Sequence, residues 1–502
     1  MKKYLDLTLI FLALAGFADA IYLTIEHFSG TIPPCTAALA FSDCGLVLRS
    51  NYAVILGVPL ALIGSIHYFV LFLTLFHHSL YQKKQTGFLA LILTLVGLIG
   101  SIYFVYLQLF VIRSLCPFCM LSALICLLLF IGTQMTFSRE RKILLIYLTA
   151  FAYQKLVKPV MFLIDSEVVH NQMTRFGELL GKSRLIKWLF NFAYKENHPS
   201  LARTIAGIKF PSPVGLAAGF DYEAKLTQIT SSIGFGFQSV GTITNNPYEG
   251  NPTPRLGRLP KSKSLMVNKG FKNLGAKATA KKLKRLNFNI PIGISIGRTN
   301  TLKLKTQKQS VADIISAFKV FERAKIKNSY YELNISCPNL VGNITFYPLK
   351  NLKELLDAVD KLSIKKPIFV KMPIEKSNQD FLAMLRVIAK SSMAGVIIGN
   401  LQKDRSDKAF DQEEVKKFPV GNFSGKPTFN RSNELIKLTY KYYKKRLIII
   451  GCGGIFNTND AYTKLKLGAS LVQLITGIIY QGPLLPAEIN FGLEELLKKN
   501  DR

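Results

Sequence analysis

Hydrophobic positions along the chain fall into two regimes. The first is a set of long apolar runs, at about residues 4–28, 53–76, 88–112 and 117–137, each near the ~20 residues that carry a helix across a bilayer. The second is a set of eight short apolar runs, at about 213–219, 235–243, 290–297, 330–336, 367–373, 395–400, 446–454 and 470–476. Each ends in small or polar residues, and most of the longer gaps hold helix-like sequence, as at 311–325, 349–362 and 433–445. Strand and helix alternating eight times predicts a (β/α)8 barrel. Between the regimes, 144–151 is too short to cross a membrane, and Leu156, Val160 and Phe162 interleaved with Lys155 and Lys158 predict amphipathic helices lying in the interface. A fifth span is the alternative. The pattern predicts a multidomain chain: an all-α transmembrane four-helix bundle over 1–140, an interfacial helical extension that associates with the membrane over 141–205, and an α/β TIM barrel over 206–502.

Charge sharpens this division. Of the net +33, residues 1–137 contribute +2, from six Lys/Arg against four Asp/Glu, which leaves +31 for the remainder. Lys2-Lys3, His77-His78 with Lys83-Lys84, and Arg139, Arg141 and Lys142 fall on one side of the four spans, whereas loop 29–51 and turn 113–116 carry only Arg49 and Arg113. The positive-inside rule places the basic set in the cytoplasm, and the barrel with it. Ala18-Asp19-Ala20 resembles a cleavage site, but the stretch is long for a signal peptide and further spans follow. The basic surface suits anionic headgroups, an acidic small substrate or RNA, or is simply solvated lysine.

The seven cysteines form no disulfide scaffold. Cys35 and Cys44 fall in the first outer loop, and Cys116-Pro117-Phe118-Cys119 opens the fourth span. A helix N-terminus favours a thiolate, proline suits the first turn, and disulfides persist on the oxidising side. Zinc is the rival reading, but a second C-x-x-C is missing, and no metal is expected. Cys126, among Leu and Ile, reads as packing. Cys337 stands in Asn334-Ile335-Ser336-Cys337-Pro338-Asn339, where Cys-Pro ends a strand. A thiol flanked by two amides can take a proton from a carbon acid while the amides grip a planar polar ring. A buried cysteine acting as a small hydrophobe is the plainer reading.

The front third resembles the vitamin K epoxide reductase family in its bacterial form, on Cys44, the run Ser50-Asn51-Tyr52-Ala53-Val54-Ile55-Leu56-Gly57-Val58-Pro59, Gly64 and Cys116-Pro117-Phe118-Cys119. The resemblance implies a four-helix bundle around a quinone. Cys35 and Cys44 would shuttle electrons from a periplasmic thioredoxin-fold thiol oxidase, Cys116 would exchange with that pair, and Cys119 would face the quinone. Ser50 falls where the family has a polar residue near the ring. A multi-pass protein of the bacterial inner membrane, with the C-x-x-C on the periplasmic face, is implied.

The strand ends of the back two-thirds resemble dihydroorotate dehydrogenase, a flavin mononucleotide (FMN) barrel. The matched stretches are Gly215-Leu216-Ala217-Ala218-Gly219-Phe220-Asp221, Pro254-Arg255-Leu256-Gly257-Arg258-Leu259, Asn334 to Asn339, Ser424-Gly425-Lys426-Pro427 and Gly468-Ala469-Ser470-Leu471-Val472-Gln473. Leu163-Ile164-Asp165-Ser166-Glu167 with His170 resembles the quinone-using, membrane-associated class. The resemblance puts Ala218, Gly219, Thr242, Asn334, Lys371, Ser424, Gly425, Gly453, Gly454, Thr476 and Gly477 on the flavin. It puts Asn268, Asn334, Asn339 and Asn400 on dihydroorotate, makes Cys337 the base, and sets Arg258 near a quinone tunnel.

This sequence also departs from that family. The quinone class carries serine where Cys337 stands. Tyr222 replaces the lysine after the Ala-Ala-Gly-x-Asp run, Ser295 an asparagine that touches flavin, and Leu401 a threonine. Val267-Asn268-Lys269-Gly270-Phe271 is one residue shorter than the usual loop. Cys452, where valine is usual, reads as structural. The expectation is a membrane oxidoreductase. Its barrel oxidises dihydroorotate to orotate with FMN and quinone for pyrimidine synthesis, its bundle oxidises periplasmic thiols with quinone reduction, and it has no nucleic-acid partner. Alternatives are an RNA-modifying flavoenzyme like the dihydrouridine synthases, or a degenerate barrel serving as a platform for the thiol oxidase.

Overall fold

The computed structural model describes residues 2–31, 43–195, 198–342 and 344–500. They form two compact units, Met1–Leu145 and Ile146–Arg502.

In the first unit, α1 (Lys2–Ser29), α3 (Leu60–Tyr81), α4 (Lys84–Tyr106) and α5 (Pro117–Thr136) are each long and apolar enough to cross a membrane, and a short α2 (Cys44–Leu48) lies between α1 and α3. α1 packs on α3 and α5, and α4 packs on the same two. Leu9, Leu71 and Leu129 fill the middle around Tyr68. The Tyr68 hydroxyl lies 2.9 Å from the Ser122 carbonyl and 3.1 Å from the Cys126 thiol. Cys126 is therefore a buried core residue. Phe11, Ile66, Ile99 and Leu124 are exposed on the outside, as expected of helices whose solvent is lipid. The Gly-Val-Pro stretch makes a tight antiparallel turn. Leu56 and Gly57 both adopt left-handed conformations (φ 51° and 82°) before Pro59 opens α3.

Helices lead into the second unit, the first of them beginning before Ile146. α6 (Ser138–Ala152) runs through a π-helical turn (Tyr153–Val157) into α7 (Lys158–Leu163), then α8 (Ser166–Lys182) and α9 (Arg184–Tyr194) follow. Ser138–Leu163 is thus one helical run of 26 residues, long and apolar enough to cross a membrane, where the sequence predicts shorter pieces. From Tyr153 onward, however, this run is tied to the barrel. The Tyr153 hydroxyl donates to the Ile479 carbonyl at 2.7 Å, and the Lys158 ammonium donates to that of Tyr480 at 3.2 Å. Asp165 caps α8 by accepting from the Glu167 and Val168 amides. Phe176, Leu179, Leu185, Trp188 and Phe192 leave one face of α8 and α9 apolar and exposed.

Eight parallel strands then close into a barrel: β1 (Val214–Leu216), β2 (Phe237–Ile243), β3 (Ile292–Ile296), β4 (Tyr330–Asn334), β5 (Ile368–Met372), β6 (Gly395–Ile398), β7 (Ile448–Cys452) and β8 (Leu471–Leu474). Side chains alternate along each strand. Tyr331, Leu333, Val370 and Val396 face outward into the main core beneath the helices. Phe237, Tyr330, Phe369 and Leu471 plug the bottom of the barrel. Above them lies a polar layer in which the Glu332 carboxylate accepts from Ser239 and from Gln473. The same alternation brings Asn334 and Lys371, paired in register on β4 and β5, to the carboxyl ends of the strands, where catalytic residues of such barrels collect. A small antiparallel sheet of Leu256–Leu259, Ser264–Val267 and Asn422–Gly425 accompanies the barrel.

Candidate functional site

One cavity of about 560 Å³ occupies the carboxyl ends of the strands and continues among α7, α8 and α9, a size suited to a cofactor with its substrate. Ala218, Gly219, Thr242, Asn334, Cys337, Asn339, Lys371, Asn400, Ser424, Gly425, Gly453, Gly454, Thr476 and Gly477 line it, with Arg258 at its helical side. These are the residues the sequence singles out in the barrel, except Asn268.

Asn268 stands apart from this set. It is not among the lining residues. Its side-chain oxygen accepts from Asn251 at 3.0 Å and its amide donates to the Pro254 carbonyl at 3.4 Å. Its neighbour Lys269 lies on the wall.

The floor is built from strand ends. The Asn334 amide donates to the Thr242 hydroxyl at 2.8 Å, which lies 3.0 Å from that of Ser295. Ser295 thus supports the floor from beneath rather than lining it. On one wall Gly453 and Gly454 turn with φ 100° and 70°. A Cβ on Gly453 would come within 2.5 Å of the Thr428 hydroxyl, and one on Gly454 equally close to Phe429. Beside them the Ser424 and Thr476 hydroxyls are 2.8 Å apart. A glycine turn with flanking hydroxyls is a suitable cradle for a phosphate and a polyol chain.

Cys337 is half-buried on the opposite side. Burial pushes its thiol up to about 11, opposed by the Asn339 backbone N–H and the charges of Lys371, Lys403 and Arg298. The loop is held by amides. Asn400 donates to the Ser336 carbonyl at 2.7 Å, and Asn339 donates to that of Val267 at 2.9 Å. Toward the helices, His170 stacks on Tyr222 with ring centroids 5.4 Å apart. Burial holds His170 well below its usual range, so the ring is neutral. Arg258 donates to the Ile164 carbonyl at 2.7 Å and sits over the Phe162 ring. Sequence reasoning assigned no site role to His170, Tyr153 or Lys269. The positions of His170 and Lys269 beside recognised motifs were the only signal.

In the first unit, Cys44, Val47 and Cys116 share a buried cluster with Phe118 and Cys119 packed against it. Cys44 is disulfide-bonded, whereas Cys116 and Cys119 are free thiols. Cys35 lies outside the described residues. Cys116 caps α5, its sulfur accepting from the Cys119 N–H at 3.4 Å. The loop is registered by Ser114, whose hydroxyl accepts from the Asp43 N–H at 3.0 Å. Ser50 donates to the Val47 carbonyl at 2.8 Å.

Comparison with known proteins agrees with both halves. Residues 200–497 match the dihydroorotate dehydrogenase family model, and residues 7–133 match that of the vitamin K epoxide reductase family. A dihydroorotate dehydrogenase (quinone) of Christiangramia forsetii is 35% identical over 69% of this chain and 99% of its own length. One of Chloroflexus aurantiacus is 34% identical over 68% and 96%. The crystal structure of the Eimeria tenella DHODH in complex with ferulenol superimposes with a TM-score of 0.58 at 26% identity, covering 67% of this chain and 93% of that one. The chain therefore belongs to the dihydroorotate dehydrogenase family, with its barrel fused behind a helical domain of the vitamin K epoxide reductase family.

Proposed function

We propose that the chain is a two-part membrane oxidoreductase in which both parts deliver electrons to quinone. The barrel oxidises dihydroorotate to orotate with FMN. The observation that carries this reading is the single cavity joining Cys337, Asn339, Asn400 and Lys371 to the apolar interior of α7–α9. FMN bound there would supply a two-electron acceptor for the substrate, one that quinone can reoxidise. Gly453, Gly454, Ser424 and Thr476 hold its phosphate and polyol chain. Lys371, 5% exposed, sets a positive charge beside the ring, where negative charge develops. Asn334, Asn339 and Asn400 orient the substrate ring. The Cys337 sulfur takes the C5 proton as hydride leaves C6. Arg258 and His170 border the quinone approach.

In the bundle, a dithiol of a periplasmic thioredoxin-fold protein reduces the disulfide of Cys44, with Cys35 as its partner. That pair passes its electrons to Cys116 and Cys119. The C-x-x-C disulfide so reduced is reformed as quinone takes two electrons and two protons, with Ser50 near the ring. The domains are assigned as 1–140, 141–205 and 206–502, in the bacterial inner membrane with the C-x-x-C periplasmic and the barrel cytoplasmic. The 15 residues of α6 ahead of the barrel-bound turn rise about 22 Å, short of the ~30 Å hydrocarbon core. This supports an interfacial extension.

The test is spectroscopic. The whole chain, purified in detergent, carries a flavin spectrum that bleaches with dihydroorotate and returns on adding a quinone analogue. A colourless protein, or one that dihydroorotate leaves unchanged, ends the barrel reading.

A further inference from the structure

Lys269 follows the strand Ser264–Val267 and is 7% exposed, yet it lies on the wall of the cavity. Burying an ammonium is costly unless an anion accompanies it. Its ammonium donates to the Tyr222 hydroxyl at 3.0 Å and sits 4.3 Å from the centre of that ring. Neither contact is an anion. Among the described residues that line the cavity, Arg258, Lys269, Lys272 and Lys371 are charged and none is Asp or Glu. The nearby Glu167 is engaged by Arg255 at 3.4 Å and Lys272 at 3.2 Å, and Glu223 pairs with Lys225.

Lys269 is also held in place. The Tyr222 hydroxyl donates to the Asn171 side-chain oxygen at 3.4 Å, which leaves its lone pairs facing the ammonium. The loop that bears Lys269 is bolted to the cysteine loop. Asn339 donates to the Val267 carbonyl at 2.9 Å, and Asn251 donates to the Asn339 carbonyl at 2.9 Å. A fixed, buried cation on the wall of the cavity that Cys337 and Asn339 also line, with no acid among the described lining residues, suits an anion carried by whatever binds there.

We propose that Lys269, oriented by the Tyr222 hydroxyl, recognises the carboxylate of the substrate and thereby sets specificity for a carboxylated pyrimidine over the bare ring. This rests on the barrel reading above. Orotate, the product, carries that carboxylate, and uracil is the same ring without it.

The test measures binding of orotate and of uracil to the whole flavoprotein in detergent, by perturbation of the flavin spectrum. The unaltered protein prefers orotate. Lys269→Met weakens orotate binding by about 10- to 100-fold, the loss expected for a buried charge-assisted hydrogen bond. Uracil affinity and flavin content stay within about twofold of the unaltered protein. Lys269→Arg keeps the preference. Should Lys269→Met lose flavin, Lys269→Gln, neutral but able to keep the Tyr222 hydrogen bond, is read in the same way. Orotate binding unchanged in the neutral variant, or orotate and uracil weakened equally, overturns the proposal. An unaltered protein that neither binds orotate nor bleaches with dihydroorotate overturns the barrel reading instead.

Discussion

The side-chain amide of Asn400, just beyond β6, donates to the Ser336 carbonyl, 2.7 Å away and one residue before Cys337. The same amide reaches the Ser336 hydroxyl at 2.5 Å. One asparagine thus fixes the loop that carries the proposed base. Asn400→Ala frees that loop, and small displacements of a base cost about 100-fold in rate. We expect turnover with dihydroorotate to fall by roughly that factor while flavin content holds, as measured by stopped-flow bleaching.

Cys337→Ala should abolish bleaching, with a loss of about 100- to 10,000-fold, the range for general base catalysis, and should leave the flavin bound. The pH dependence has a definite sign. Burial raises the Cys337 thiol to about 11, and only the thiolate accepts the proton. The single-turnover rate therefore rises with pH from neutrality toward that value. A flat profile over the same range removes Cys337 as the base.

The glycine turn is a test of cofactor binding alone. Gly454 has φ 70°, and a Cβ there would lie 2.5 Å from the Cβ of Phe429. Gly454→Val blocks the cradle and strains the backbone. The variant should purify with little flavin, read from visible absorbance, while retaining the bundle's thiol chemistry.

Cys116→Ser and Cys119→Ser should each end thiol oxidation and leave dihydroorotate-driven bleaching intact, because the two chemistries use separate residues. Reagents that block thiols and cannot cross a bilayer should label Cys119, the partly exposed thiol of the C-x-x-C, in intact spheroplasts after reduction, and reach Cys337 only after lysis. The reverse pattern would invert the proposed orientation.

Orotate binding should weaken as pH rises through neutrality. Burial lowers Lys269 to about 7, opposed by Glu167 and Glu223 and assisted by Lys272 and Arg255, and the neutral amine formed above that pH no longer attracts a carboxylate. His170, which burial keeps neutral, does not add a second step. Lys269→Arg, charged throughout, should flatten the dependence when titrated by spectral perturbation.

Much of this molecule is written in local patterns. Apolar length marks the four bundle helices, and the eight apolar runs land on the eight strands of the barrel, because burial on both faces demands such runs. Strand-end motifs name Cys337, Lys371 and the Gly453-Gly454 turn, since a barrel gathers its chemistry at those ends. What sequence could not supply depends on contacts between distant segments. Ser138–Leu163 reads as short pieces but is one helical run, anchored to residues more than three hundred positions away. Asn268 fits a motif by order, yet its side chain is taken up by Asn251 and the Pro254 carbonyl, and its neighbour Lys269 lies on the wall. Tyr222 reads as the loss of a charge, and only folding shows a lysine from another loop donating to its hydroxyl. Periodicity fixes which face a residue takes, because that follows from the geometry of its own helix or strand. Which side chain finally occupies a wall is decided by how separate loops pack, and no single stretch of chain contains that information.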